Sequence, residues 1–166
     1  MKIGTFALAV ALWAATFGWA SAQIVEPQIG QAFGAWVFQC DAVGQDKTIC
    51  AFATNVLSPD KKQVMVDLRI SRPKADGALV LSALLPLGMS LQPGVKTAID
   101  GGDSVDVPLR TCIVKGCIAI LDLDEAAVTK LKQGKALALE FDIVGKKITA
   151  NIKLDGLTDA FNAAKW

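Results

Sequence analysis

Three stretches place an apolar side chain at every second position, and that period commits most of the chain to half-buried β-strands. In 63–70, Val64, Val66, Leu68 and Ile70 point one way and Gln63, Asp67 and Arg69 the other. In 137–143, Leu137, Leu139, Phe141 and Ile143 alternate with Ala138, Glu140 and Asp142; in 147–154, Ile148, Ala150, Ile152 and Leu154 alternate with Lys147, Thr149, Asn151 and Lys153. Pairing the last two across Val144-Gly145 sets Phe141 opposite Ile148 and Asp142 opposite Lys147. Apolar and opposite-charge pairs then fall on separate faces, as an antiparallel hairpin requires. Further strands are expected at 35–40, 48–56, 79–85, 95–99 and 117–122. They are separated by turn signals at Ser58-Pro59-Asp60, Asp76-Gly77, Pro93-Gly94 and Asp100-Gly101-Gly102.

Two short helices interrupt this pattern. Residues 123–133 begin at an acidic cap, Asp122 or Asp124, and stop at Gly134; residues 156–166 bring Leu157, Ala160, Phe161 and Ala164 onto one face. The expected fold is mainly β, an antiparallel β-sandwich or partly closed barrel with two short helices. An outer-membrane barrel fits less well. The outward row Lys147, Thr149, Asn151 and Lys153 is polar, and there is no Tyr for an aromatic girdle.

The N-terminus has the form of a secretory signal. Lys2 precedes an apolar run over 5–17, and Ala20-Ser21-Ala22 offers a small-x-small cleavage site with Gln23 first in the mature protein. The run is shorter than the ~20 residues of a membrane-spanning helix. Cleavage therefore leaves residues 23–166 as a single domain without a transmembrane segment, located in the periplasm, outside the cell or on its surface. Loss of Lys2 makes that domain formally neutral. A near-neutral chain gives no electrostatic case for nucleic acid.

An oxidising compartment makes Cys40, Cys50, Cys112 and Cys117 candidates for disulfides, and four cysteines allow three connectivities. Cys40–Cys50 and Cys112–Cys117 are favoured, because each pair is close in sequence and flanks a turn-like insert. Closing each short loop is worth about 2–3 kcal/mol. The functional rivals are thiol–disulfide exchange and zinc. The first wants C-x-x-C opening a helix, and the second two closely spaced cysteine knuckles; neither spacing is present.

Other chemistry is thin. Histidine is absent, which removes the serine triad, the Cys-His dyad, the imidazole base and any His-containing zinc site. Asp100, Asp103 and Asp106 lack the alternate spacing and terminal Glu of a calcium loop, and Asp-Gly-Gly is an ordinary turn. Asp122, Asp124 and Glu125 are accounted for by helix capping. No phosphate loop or other cofactor motif is present. Six lysines between 130 and 153 face only Glu140 and Asp142. This excess suits either an acidic partner or anionic lipid, or simply the guarding of a sheet edge; edge protection is the simpler reading.

In order, Gly34-Ala35-Trp36-Val37-Phe38-Gln39-Cys40, Cys50, Leu85-Pro86-Leu87-Gly88-Met89-Ser90-Leu91 and Ile99-Asp100-Gly101-Gly102 are followed by Thr111-Cys112 through Gly116-Cys117. Leu131-Lys132-Gln133-Gly134 and Leu154-Asp155-Gly156-Leu157-Thr158-Asp159-Ala160-Phe161 complete the series. This series, over roughly 33–161, resembles the invasion-associated locus B family of exported Gram-negative bacterial proteins. Ala35 departs from the family pattern, which tends to carry Asp before the Trp. The resemblance implies a periplasmic or surface protein whose relatives are named for promoting entry into host cells. It carries over no catalytic residue. Trp36 suits a core anchor, the four cysteines suit staples, and Pro86 with Gly88, and Asp100 with Gly101 and Gly102, suit turns.

The expected function is non-enzymatic binding of an envelope or host component, without cofactor or metal. A redox or envelope-stress factor using Cys112 and Cys117 is the alternative, and a small Asp/Glu/Lys hydrolase is a third reading. Intact mass of the exported protein tests the export and pairing together. The mass should begin at Gln23, and alkylation before reduction should add nothing. Retention of residues 1–22, or uptake of the alkylating agent, would contradict this reading.

Overall fold

Alternation along the chain becomes two antiparallel sheets in the computed structural model, which describes residues 26–43, 45–74, 77–92 and 94–166. The expected signal segment 1–22 and cleavage site, together with turn residues Asp76 and Pro93, lie outside the described residues. The strands are β1 (Ala32–Phe33), β2 (Trp36–Val43), β3 (Lys47–Leu57), β4 (Val64–Ser71), β5 (Leu79–Leu85), β6 (Val95–Ile99), β7 (Val105–Val107), β8 (Leu109–Ile113), β9 (Gly116–Leu123), β10 (Ala136–Ile143) and β11 (Lys146–Lys153). Helix α1 (Glu125–Gln133) joins β9 to β10, and α2 (Leu157–Ala163) follows β11. Seven strands form a sheet in the order β1-β2-β3-β4-β5-β9-β8, and four form a second in the order β11-β10-β6-β7.

The expected hairpin has the expected register, with Phe141 opposite Ile148 and Asp142 opposite Lys147. The inward row of β4 is Val66, Leu68 and Ile70, all fully buried. They share one core with Leu81 and Leu85 of β5 and with Leu137, Leu139 and Phe141 of β10. Each such side chain contributes about 1.5–3 kcal/mol by leaving water.

Val64 departs from the expected inward row. Val56 pairs with Val66 but Leu57 pairs with Val64, so Met65 is an extra residue in a β-bulge. A bulge reverses the facing of whatever follows it, and both Leu57 and Val64 are exposed. The strands β1, β7 and β8 escaped the sequence reading. The first two have two and three residues, too few to display a period; β8 has five but is exposed along nearly its whole length, so no buried apolar row marks it.

Four aromatic rings surround Phe52 of β3. Centroids lie 5.0 Å from Trp166, 5.2 Å from Phe38, 5.6 Å from Phe33 and 6.3 Å from Phe161. Phe161 belongs to α2, whose Leu157 and Ala160 are buried with it. The helix therefore docks its apolar face, as its i, i+3, i+4 spacing indicated.

Where the first sheet meets the chain leaving β11, two backbones touch. Trp36 is fully buried, and its indole N–H donates to the Lys153 carbonyl at 3.1 Å. The Ala35 amide donates to the Asp155 carbonyl, also at 3.1 Å. Gly156 has φ +80°, and a Cβ there would stand 2.2 Å from the Phe33 carbonyl oxygen. A Cβ on Gly34 would stand 2.5 Å from the Asp155 oxygen. Glycine is required at both positions by the neighbouring backbone, which cannot move aside as a side chain would.

Gly156→Ala should cost about 3 kcal/mol or more, combining left-handed strain with overpacking. Gly101→Ala is the comparison: its φ is +72° but nothing lies within 4 Å, so only the ~1–2 kcal/mol of strain applies. Urea midpoints of the two variants measure the difference. Equal losses would contradict the close backbone approach.

Candidate functional site

A cleft of about 580 Å³ lies between the two sheets beside α1. Leu81, Ile99, Leu121 and Leu131 line it, with Val105 on one side and Ala127 of α1 on the other. Asp100, Asp103, Asp122 and Asp124 line it as well, against Lys130. The motif Ile99-Asp100-Gly101-Gly102, read from sequence as a turn, therefore lies at a cleft.

Asp100 does more than turn the chain. It adopts φ +49°, and its amide donates to the Ala136 carbonyl at 2.9 Å. Its carboxylate accepts from the Lys135 amide at 3.0 Å and the Ala136 amide at 2.8 Å. The end of β6 is thus tied to the start of β10, and these two strands are neighbours in the second sheet. Asp124, rather than Asp122, caps α1: its carboxylate accepts from the Ala127 amide at 2.7 Å. Two of the four cleft carboxylates are thereby committed to backbone N–H groups. Asp103 and Asp122 remain exposed to solvent.

The side chains with displaced pKa values lie elsewhere. Asp60 is held below the usual carboxylate range by the Ser58 hydroxyl and the Lys62 amide. The Arg69 guanidinium is raised by its hydrogen bonds to Asp67, at 3.0 and 2.9 Å, and by Asp41 across the sheet. No cluster of three or more His, Cys, Asp or Glu side chains suits a metal ion among the described residues.

Both disulfides form as favoured, Cys40–Cys50 and Cys112–Cys117. Each links residues directly opposite one another, the first across β2 and β3 and the second across β8 and β9. Neither opens a helix, the setting that lowers a thiol pKa for exchange chemistry. Cys117 is buried and Cys112 exposed.

Trp36 lies in the backbone junction, far along β2 from the Cys40–Cys50 bridge's hairpin turn. Pro86 ends β5, and Gly88 turns the next segment with φ +86°. Neither lies among the cleft residues. The sequence reading missed the apolar floor, because Leu81 and Leu121 read individually as ordinary strand residues and Val105 lies in β7, which the sequence did not reveal. The lysine excess between 130 and 153 is not one patch: Lys130, Lys132 and Lys135 sit by α1, while Lys146 and Lys147 begin β11.

These features define a disulfide-stapled antiparallel β-protein, two sheets closed by a C-terminal helix. A crystal structure of invasion associated protein B from Bartonella henselae has the same fold, with TM-score 0.70 and 24% identity, over 81% of this chain and 93% of that one. The sequence model of the invasion associated locus B (IalB) protein family matches residues 36–165, and the chain belongs to that family. Invasion protein B of Bartonella bacilliformis is 24% identical over 135 residues, 78% of this chain and 71% of that protein. An invasion protein B homologue of Brucella abortus is 28% identical over 107 residues, 63% of this chain and 59% of the relative. The disulfides and these relatives fit an exported protein.

Asp100→Ala removes an ionised acceptor from two backbone N–H groups and should cost about 2–3 kcal/mol. Asp103→Ala, solvent-exposed at the same cleft, should stay within ~0.5 kcal/mol. Thermal unfolding of both variants checks this. A loss of similar size at Asp103 would mean that Asp100 is not the clamp.

Proposed function

We propose that the protein is a non-catalytic binding protein of the periplasm or cell surface, exported by a cleaved signal segment. In this reading it recognises an envelope or host component through the cleft between its sheets. The observation that carries the proposal is the use made of the cleft's carboxylates. Asp100 and Asp124 accept from backbone amides, so two of the four carboxylates serve the fold, and the cleft presents an apolar floor with an acidic rim. Concave apolar surface with a few fixed polar groups is the usual form of a recognition site. The family name, and those of its invasion protein relatives, support a role at the boundary between bacterium and host.

A second reading is favoured by one observation, the exposure of Cys112. An attacking thiolate could reach that sulfur and release Cys117, so the pair would act in thiol–disulfide exchange.

Two variants separate these readings in a deletion strain, scored by association of the protein with the envelope and with host cells. Val105→Trp places a large ring at the cleft from a position that is itself exposed, and should abolish association without lowering the melting temperature. The double variant Cys112→Ser/Cys117→Ser should lose about 2 kcal/mol of stability, the entropy of a short closed loop, yet retain association. The opposite pattern, with Val105→Trp active and the serine pair inactive while folded, would replace binding with redox chemistry.

A further inference from the structure

The end of the molecule away from the cleft carries its most exposed apolar side chains. Val114, at the tip of the β8–β9 hairpin, is 93% exposed, and Val144, at the tip of the β10–β11 hairpin, is 83% exposed. Leu87 and Leu91, in the segment after β5, are 54% and 61% exposed. Leu57 and Val64, opposite one another beside the bulge, are exposed as well.

Pairing brings these positions to the same end. Leu85 opposes Cys117, so the chain passing Pro86 to Leu87 runs beside the Val114 turn. Val64, Pro86 and Lys115 line one shallow depression. The segment carrying Leu87 and Leu91 is fixed to the other hairpin. Met89 bridges Ile143, the Ser90 amide donates to the Asp142 carbonyl at 2.7 Å, and the Val144 amide donates to the Gly88 carbonyl. Met89 itself is buried in the core, so the leucines on either side of it are held out by a packed anchor.

Charge at this end is positive on balance. Lys61 and Lys62 lie in the β3–β4 turn, Lys115 beside Val114, and Lys146 and Lys147 after Val144; all five are exposed. Asp60 and Asp142 are the acids among them, which leaves an excess of three positive charges. The cleft end is acidic on balance, with Asp100, Asp103, Asp122, Asp124 and Glu125 exposed against Lys130 and Lys135.

Val144 adds an observation independent of charge and exposure. It adopts φ +48° and is followed by Gly145 at φ +75°, the two positive angles of a tight hairpin turn. Asn or Asp suits the first of these positions, and a β-branched residue there is an outlier. A strained valine projecting into water adds nothing to the fold that Asn would not supply better. Such strain points to a surface use.

We infer that this end docks on an anionic lipid bilayer, with the apolar tips entering the interface and the lysines facing the headgroups. Apolar tips flanked by lysines match both layers of such a surface. The occupant is a membrane surface rather than a protein pocket, because the apolar side chains project as separate tips instead of forming one concave wall. Docked this way, the acidic cleft faces away from the membrane. The inference does not depend on what the cleft binds.

Vesicle co-sedimentation tests it with the purified protein, whose intact mass reports whether residues 1–22 are present. Vesicles containing about one-third phosphatidylglycerol in phosphatidylcholine should bind the protein about tenfold more tightly at low salt than phosphatidylcholine alone. The double variant Leu87→Ser/Val144→Asn should weaken that binding about tenfold without lowering the melting temperature. Lys115→Glu/Lys146→Glu should abolish the preference for anionic vesicles. Absence of sedimentation, or binding that the tip variants leave unchanged, would overturn the inference. So would a dimer in light scattering that Leu87→Ser/Val144→Asn dissociates while vesicles remain unbound, since the tips would then serve a second copy.

Discussion

The contact on which the architecture depends is the meeting of two backbones at Gly34-Ala35-Trp36 and Leu154-Asp155-Gly156. The seven-stranded sheet and the four-stranded sheet share no ladder of hydrogen bonds. They are held by burial, which is strong but non-directional, and by this junction, which is directional. The Trp36 indole bond to Lys153 and the Ala35 bond to Asp155 fix the position of the end of β11 against the start of β2. That placement in turn delivers α2 onto the Phe52 cluster. Without it, the apolar inner faces would still collapse, but their relative position would rest on the contacts at the far end, where Ser90 and Gly88 bond to Asp142 and Val144.

The rest of the molecule divides into two chemically different ends. Toward the cleft, Asp100 ties β6 to β10 and Asp124 starts α1, so acidic residues organise backbone there. Toward the hairpin tips, lysines and projecting valines and leucines organise nothing internal. The family relationship explains why the chain has this fold; it does not by itself explain why a valine occupies a left-handed turn position. Recognition at the cleft and docking at the tips, as proposed above, would give each end its own use.

Much of the fold was legible because sheets with one buried face write their period into the sequence. The β10–β11 hairpin could be registered from Phe141, Ile148, Asp142 and Lys147 alone. The disulfide pairs were legible as the shortest loops, and Gly134 and the acidic cap bounded α1. What the sequence hid was hidden for physical reasons. Met65 gives no sign that it is a bulge residue, because a bulge is a relation between two strands. Asp100 reads as a turn residue, since the amides it holds come from Lys135 and Ala136, far along the chain. The lysine run from 130 to 153 read as protection of a sheet edge, and Lys146, Lys147 and Lys153 do lie on β11, an edge strand; hidden from the sequence was that Lys130, Lys132 and Lys135 go to the other end, by α1.

The Trp36 junction should open only when the whole molecule unfolds. Hydrogen exchange of the Trp36 indole N–H, followed by NMR under native conditions, tests it most directly. Its protection factor should match the global unfolding free energy and equal that of the amides in β4 and β5. Exchange many-fold faster, while the β4 and β5 amides stay protected, would show that the junction frays independently. The sheets would then be held by their core alone.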